Sequence, residues 1–395
     1  MIADKMKALV SGSSPIRAMF EEGKRLANLY GKENIYDFSL GNPNVLPPDA
    51  IKKAVADVLE SYAPNYVHGY MNNSGYDEAR SAIAAQFNKR YNAGLDVKNI
   101  IMTSGAAGGI NIVFKTILNP GDEVLVFAPF FAEYVNYARN YDAQTVVVPA
   151  MADFGLNLAA LKGAITAKTR AVIINSPNNP SGAVYDEQAL RGLADVLAAA
   201  SKQYGNPIYL VSDEPYRELV YDDSLLPYIP ALYPNTFVIY SWSKTLSIPG
   251  ERVGYVAVCD AMDGLDEILP ALNVANRILG FVNAPSLFQL VAAKCIDESV
   301  DISIYKKNRD FLYEKLTAMG YEMSLPRGGF YLFPKAPGGD DAAFCSAAKE
   351  HRILIVPGSA FGCAGYFRLA YCVDFKTVEA SIDGFHKLAA QFTAK

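Results

Sequence analysis

The sequence predicts an α/β fold: a mainly parallel central sheet with helices on both faces, joined to a smaller α+β domain. From about Ile51 onward, short β-branched runs alternate with longer amphipathic stretches. Most of the short runs are apolar without alternation, the signature of strands covered on both faces. Near Asn283-Ala284-Pro285-Ser286 this rhythm stops, and longer helical and shorter strand patterns follow. In chain order, the predicted strands of the large unit are residues 99–102, 123–127, 145–148, 171–174, 208–211, 236–239 and 253–258. Helical spacing fills the gaps, most clearly over residues 189–201. After residue 283 a long helical pattern runs through Asp310, and strands are predicted at 329–333, 353–356 and 366–370. The expected division is therefore 1–46 as an N-terminal segment packing with the small domain, 47–282 as the large domain and 283–395 as the small one.

At 395 residues and 51% hydrophobic, the chain can bury a large core in more than one unit. A net charge of −5 argues against a nucleic-acid partner, which calls for a basic face. The five cysteines (Cys259, Cys295, Cys345, Cys363, Cys372) form no Cys-x-x-Cys pair, which predicts reduced thiols. His68, His351 and His386 have no metal-ligand spacing, so no metal is expected. Residues 1–7 lack the apolar core of a signal peptide, and no run is long enough to span a bilayer. A soluble, cytoplasmic protein without a membrane partner is the expectation.

The unusual polar residues fall directly after predicted strands, where open α/β sheets bind ligands. Ser241-Trp242-Ser243-Lys244 follows the run 236–239, with Arg252 eight residues beyond the lysine. Lysine forms Schiff bases with aldehydes when its amine is held partly neutral. The two serines and the arginine suit a phosphate beside it. Thr103-Ser104-Gly105-Ala106-Ala107 opens a helix, where small residues let backbone N–H groups approach an anion. It is neither a Walker loop nor a dinucleotide fingerprint. Ala128-Pro129-Phe130-Phe131 offers Phe131 as a ring to stack on a flat ligand, with Phe130 and Tyr134 expected in the core. Asn175-Ser176-Pro177-Asn178-Asn179-Pro180-Ser181-Gly182 is a stiff turn suited to presenting one amide. Ser212-Asp213-Glu214-Pro215-Tyr216 puts a carboxylate at the mouth of the sheet, which is costly unless a cation meets it.

Taken in this order, these segments, with Glu251-Arg252-Val253-Gly254-Tyr255 and the late Phe361-Gly362 and Arg368-Leu369, resemble the aspartate aminotransferase family. That family comprises class I aminotransferases of fold type I, dependent on pyridoxal 5'-phosphate, and the resemblance covers nearly the whole chain. It implies that Lys244 carries the cofactor as a Schiff base and moves a proton at the substrate α-carbon. It implies that Asp213 pairs with the ring nitrogen, and that Asn179 and Tyr216 meet the ring oxygen. Gly105, Ala106, Ala107, Ser241, Ser243 and Arg252 match the phosphate site. Arg368 matches the clamp on the substrate α-carboxylate, and Gly41 the loop beside it. Tyr70, followed by Gly75 and Arg80, matches a tyrosine that reaches a neighbouring subunit's phosphate, which implies a homodimer with shared active sites.

Where the family decides specificity, the sequence departs from it. Aligned on Asn283-Ala284-Pro285, Ile278 takes the place of an arginine that binds a distal carboxylate, with Arg277 just before it. Aspartate and 2-oxoglutarate are the expected substrates, moving the amino group in two half-reactions; alanine or aromatic amino acids are the alternatives. A C–S β-lyase shares the fold, but those enzymes usually carry Asp-Glu-Ile-His where this chain has Asp213-Glu214-Pro215-Tyr216. A regulator built on the fold would need a DNA-binding module, for which some 45 leading residues are too few.

Overall fold

The computed structural model describes residues 2–11, 15–222 and 226–393. Its strands are β1 (Tyr36–Asp37), β2 (Ile100–Thr103), β3 (Glu123–Phe127), β4 (Gln144–Val148), β5 (Thr169–Asn175), β6 (Tyr209–Asp213), β7 (Thr236–Ser241), β8 (Gly254–Ala257), β9 (Tyr331–Leu332), β10 (Ile353–Leu354), β11 (Val356–Pro357) and β12 (Phe367–Ala370). Seven of these build one sheet in the order β2-β8-β7-β6-β5-β3-β4. Strands β3 to β7 pair in parallel, and β8 runs antiparallel to both β7 and β2. Each large-domain strand falls within a residue or two of its predicted position.

The sequence lacks alternation because both faces of the sheet are covered. Val124 and Val126 join a core under helices Gly105–Ile117 and Leu265–Ile278. Leu125 points the other way, into a core under helix Glu187–Tyr204. A third core puts Ile100, Met102 and Val238 under helices Asp49–Ser61 and Asp77–Tyr91. Burying each such side chain is worth about 1.5–3 kcal/mol, so slipping any strand by one residue gains nothing.

The remaining strands form two small sheets. β1 pairs in parallel with β10, while β11, β12 and β9 make an antiparallel three-stranded sheet. Phe38, just after β1, is fully buried beside Phe385, Leu388 and Ile353.

Four local expectations change. The run 353–356 is not one strand: Ile353–Leu354 pairs with β1, and Val356–Pro357 turns to pair with β12. The run 329–333 shrinks to Tyr331–Leu332, since Gly329 has φ of +70° and breaks the extended backbone before it. The helical pattern after residue 283 divides into Ser286–Lys294 and Ser303–Ala318. The break lets the chain dive so that Val300 N donates to Thr245 O at 2.8 Å. Helix Ser286–Lys294, expected with the smaller domain, packs instead against Asp49–Ser61 and Asp77–Tyr91 through Leu290, Val291 and Ala292.

Candidate active site

At the carboxyl ends of the parallel strands, where β8 begins, lies a cavity of about 270 Å³. Its walls include Lys244, Asp213, Asn179, Tyr216, Arg252 and Arg368, so residues spread over 190 positions of sequence converge there.

Strand β7 ends at Ser241 and the chain turns at once into the short helix Trp242–Thr245, which carries Lys244. The Lys244 Nζ donates to the carbonyl of Gly41 at 2.7 Å. Burial is the main reason its amine is pushed down to about 8; the charges of Arg368 and Arg252 push the same way, and Cys372 opposes them. A lysine in this setting is partly neutral near physiological pH, as a nucleophile must be.

Asp213 closes β6 and is buried. Its Oδ2 accepts a hydrogen bond from Tyr134 Oη at 2.5 Å. Its backbone carbonyl accepts from Asn175 Nδ2 at 2.8 Å. Oδ1 has no partner among the described residues. Burial pushes this carboxyl up to about 7, with the Tyr134 hydrogen bond opposing and the neighbouring Glu214 adding to the rise. An unmatched buried carboxylate oxygen calls for a cationic hydrogen-bond donor.

Helix Gly105–Ile117 aims its N-terminus at the same cavity, which Ala106 and Ala107 line. Gly105 has φ of +70°, and a Cβ there would stand 2.8 Å from Arg252 Nη2. Only glycine lets the guanidinium approach this turn so closely. Ser241 Oγ donates to Ser243 Oγ at 3.2 Å in the same cavity. Free backbone donors, two hydroxyls and an arginine make an anion cradle.

Arg368 sits on β12, buried against the rings of Tyr331 and Phe361, each 4.8 Å from the guanidinium carbon. Nη1 donates to Asn179 Oδ1 at 3.1 Å and Nη2 to Ser39 O at 2.5 Å, while Nε has no partner among the described residues. Asn179 is itself held, its backbone N donating to Asn175 Oδ1 at 2.7 Å. Burial lowers the Arg368 pKa; the nearby phenols of Tyr331 and Tyr216 counter this.

Phe131 also lines the cavity, its ring edge-on to Tyr134 at 5.5 Å. Gly41 forms part of the wall, and the ideal Cβ position on it lies 2.0 Å from Tyr331 Oη. Tyr70 is 95% exposed and outside the cavity of its own chain. Arg277 and Ile278 likewise face solvent at the end of helix Leu265–Ile278. The segments carrying them are tied together: Asn276 Nδ2 donates to Asn73 O at 3.0 Å and Asn283 Nδ2 to Asn72 O at 2.7 Å. Arg80 is buried and bonds the carbonyls of Val97 and Ile100, a structural placement.

Three residues of the site escape sequence reasoning. Tyr134 was expected only in the core; it is buried, but its hydroxyl serves Asp213, a contact that no local pattern encodes. Asn175 reads as an ordinary turn residue, yet it braces both Asp213 and Asn179. Tyr331 comes from β9 of the three-stranded sheet and carries no motif, and its hydroxyl lies 2.9 Å from that of Tyr216.

A buried, partly neutral lysine, an unmatched carboxylate and an anion cradle around one cavity define an α/β enzyme built for an aldehyde cofactor that carries a phosphate and a basic ring nitrogen. The chain belongs to the family "Aminotransferase class I and II", whose description matches residues 33–385, and it is a pyridoxal-phosphate-dependent aminotransferase. It is 30% identical to the aspartate aminotransferase of Pyrococcus horikoshii over 95% of this chain and 94% of that protein. It is also 30% identical to the aromatic-amino-acid aminotransferase 2 of Thermococcus litoralis, over 95% of each chain. The solved structure of an amino transferase from Eubacterium rectale is 43% identical, with a TM-score of 0.96 over 99% of each chain. The cavity fits the cofactor on this chain's own terms, since Asp213 Oδ1 lacks a donor among the described residues and the Gly105 turn brings Arg252 to the start of a helix with no room for a Cβ between them.

Proposed function

We propose that this enzyme transfers the amino group of aspartate to 2-oxoglutarate, with the residues of the cavity in the following roles. Lys244 would hold the cofactor through its amine and would carry a proton to and from the substrate α-carbon. Asp213, steadied by Tyr134, would accept a hydrogen bond from the protonated ring nitrogen. Asn179 and Tyr216 would serve the ring oxygen, and Phe131 would pack on the ring. Gly105, Ala106, Ala107, Ser241, Ser243 and Arg252 hold the phosphate. Arg368 binds the α-carboxylate with Gly41 beside it; a fork of fixed donors orients the substrate as well as binding it. When bound, pyridoxal phosphate supplies the electron sink for charge that develops on the α-carbon.

The observation that carries this reading is the convergence of Lys244, Asp213 and Arg368 on one cavity. The exposed Tyr70 fits a role across a two-fold interface, so the working unit is a homodimer, placed in the cytoplasm. Arg277 of a second copy would then meet the distal carboxylate of aspartate. A second reading is favoured by the cavity itself: Lys244, Arg252 and Arg368 are its only cations among the described residues, and its walls are rich in aromatic rings. Under that reading the donor is a neutral or aromatic amino acid.

The deciding experiment is an absorbance spectrum of the purified protein with single amino acids and no oxo acid. Conversion of the visible cofactor band to a near-ultraviolet one, fastest with aspartate, supports the first reading. Fastest conversion with an aromatic amino acid or alanine supports the second. Release of pyruvate and ammonia from cystathionine would instead reveal a lyase.

A further inference from the structure

We propose that Tyr331 is a positioning residue that sets two parts of the site at once: its ring fixes the plane of Arg368, and its hydroxyl directs the proton of Tyr216. This rests on Arg368 as the carboxylate clamp and Tyr216 as the contact to the ring oxygen.

Sheet geometry fixes the first contact. Tyr331 on β9 pairs with Ala370 on β12, and Ala370 shares its face of the strand with Arg368, two residues earlier. Tyr331 and Arg368 are thus diagonal neighbours on one face of an antiparallel pair, within reach for long side chains. The guanidinium carbon lies over the Tyr331 ring and over the Phe361 ring, 4.8 Å from each centroid. Rings packed on it limit how the planar guanidinium can turn. Asn179 and Ser39 O take two of its donors.

The hydroxyl supplies the second contact. Tyr331 is 2% exposed, and burying a phenol oxygen is unfavourable without a partner. Its partner is Tyr216 Oη at 2.9 Å, and both residues line the cavity. The two rings meet nearly at right angles, at 80°. Two phenols in contact hold two protons and share one of them. When Tyr331 donates, the Tyr216 proton is released toward the cavity, and Tyr216 becomes the stronger donor because its oxygen is already accepting. Phenylalanine at position 331 would fill the core equally well, but it would leave Tyr216 without this donor.

The test compares Tyr331→Phe, Tyr331→Leu, Tyr216→Phe and Arg368→Lys in the loaded enzyme. Two readouts are taken: KM for several amino acids, and the pH midpoint of the cofactor's visible band. Tyr331→Phe is expected to leave KM within about twofold while raising the midpoint by about half a unit or more, because an anionic ring oxygen loses support. Tyr331→Leu, which keeps apolar volume without a ring face, is expected to raise the midpoint and also to raise KM roughly tenfold for every amino acid. An unchanged midpoint in Tyr331→Phe, beside a shifted one in Tyr216→Phe, overturns the proton-directing role. An unchanged KM in Tyr331→Leu, beside a raised one in Arg368→Lys, overturns the clamp-aligning role. If Tyr216→Phe or Arg368→Lys moves neither readout, the underlying assignment of that residue fails instead.

Discussion

Tyr134 and Asp213 are joined by a 2.5 Å hydrogen bond at the end of β6, which ties one carboxylate oxygen and leaves the other buried without a partner among the described residues. The tyrosine supports the ionised form of a group that burial pushes toward neutrality.

Removing that support should therefore show a pH signature. In Tyr134→Phe the Asp213 carboxyl titrates above 7, so near pH 7 less of it is ionised to meet the cofactor. A hydrogen bond to a buried charge is worth about 1.5–3 kcal/mol, so retention of pyridoxal phosphate should weaken roughly tenfold at pH 7. The weakening should shrink at pH 9, where the carboxylate is ionised with or without the tyrosine. Fluorescence titration at both pH values checks this, and equal weakening at both would contradict it.

Lys244 provides a second pH dependence, of opposite chemical sign. Its folded pKa of about 8 lies below the ordinary lysine value of 10.5, so the amine is charged below pH 8 and neutral above it. Capture of pyridoxal phosphate by the cofactor-free protein needs the neutral amine. The capture rate should rise with pH through about 8 and then level off, as followed by stopped-flow absorbance. A rate still climbing toward pH 10.5 would mean that burial does not depress this amine. Lys244→Ala should retain the cofactor through the phosphate cradle yet lose turnover by about a thousandfold or more.

Arg368→Ala should lower kcat/KM for every amino acid by about the same factor. The group it contacts is common to all of them, and breaking a buried charged pair costs about 3–5 kcal/mol. A steady-state survey of acidic, aromatic and small amino acids tests the uniformity. A loss confined to dicarboxylic substrates would move Arg368 to the specificity pocket.

Gly41→Ala probes the tightest contact of the site. Its new methyl group would fall 2.0 Å from Tyr331 Oη, and its own carbonyl is the acceptor for Lys244. Overpacking of this kind costs about 1–3 kcal/mol and should lower the melting temperature measurably. Adding Tyr331→Phe removes the clashing oxygen, so the double variant should be more stable than the sum of the single changes predicts. Strict additivity would place the strain elsewhere.

The sequence by itself determined the large sheet and the residues that end its strands. Strands covered on both faces must be apolar throughout, so β2, β3 and β5 to β8 stand out wherever the chain is read, while the edge strand β4 is partly exposed. The turns after them must carry whatever meets the ligand, which made Lys244, Asp213, Asn179 and Arg252 legible as a set. Short strands are less visible, because two residues carry no periodicity: residues 353–357 serve two different sheets, and only partner strands decide where one ends. The tertiary structure alone decided which groups tune the site. The donor on Asp213 lies 79 positions away at Tyr134, and Tyr331 stands 115 positions from Tyr216. The first pair depends on how two strand ends of the large sheet are placed, the second on β9 packing against the turn after β6. A buried phenol reads in the sequence as core whether or not its hydroxyl does chemistry, since the same apolar ring satisfies both demands.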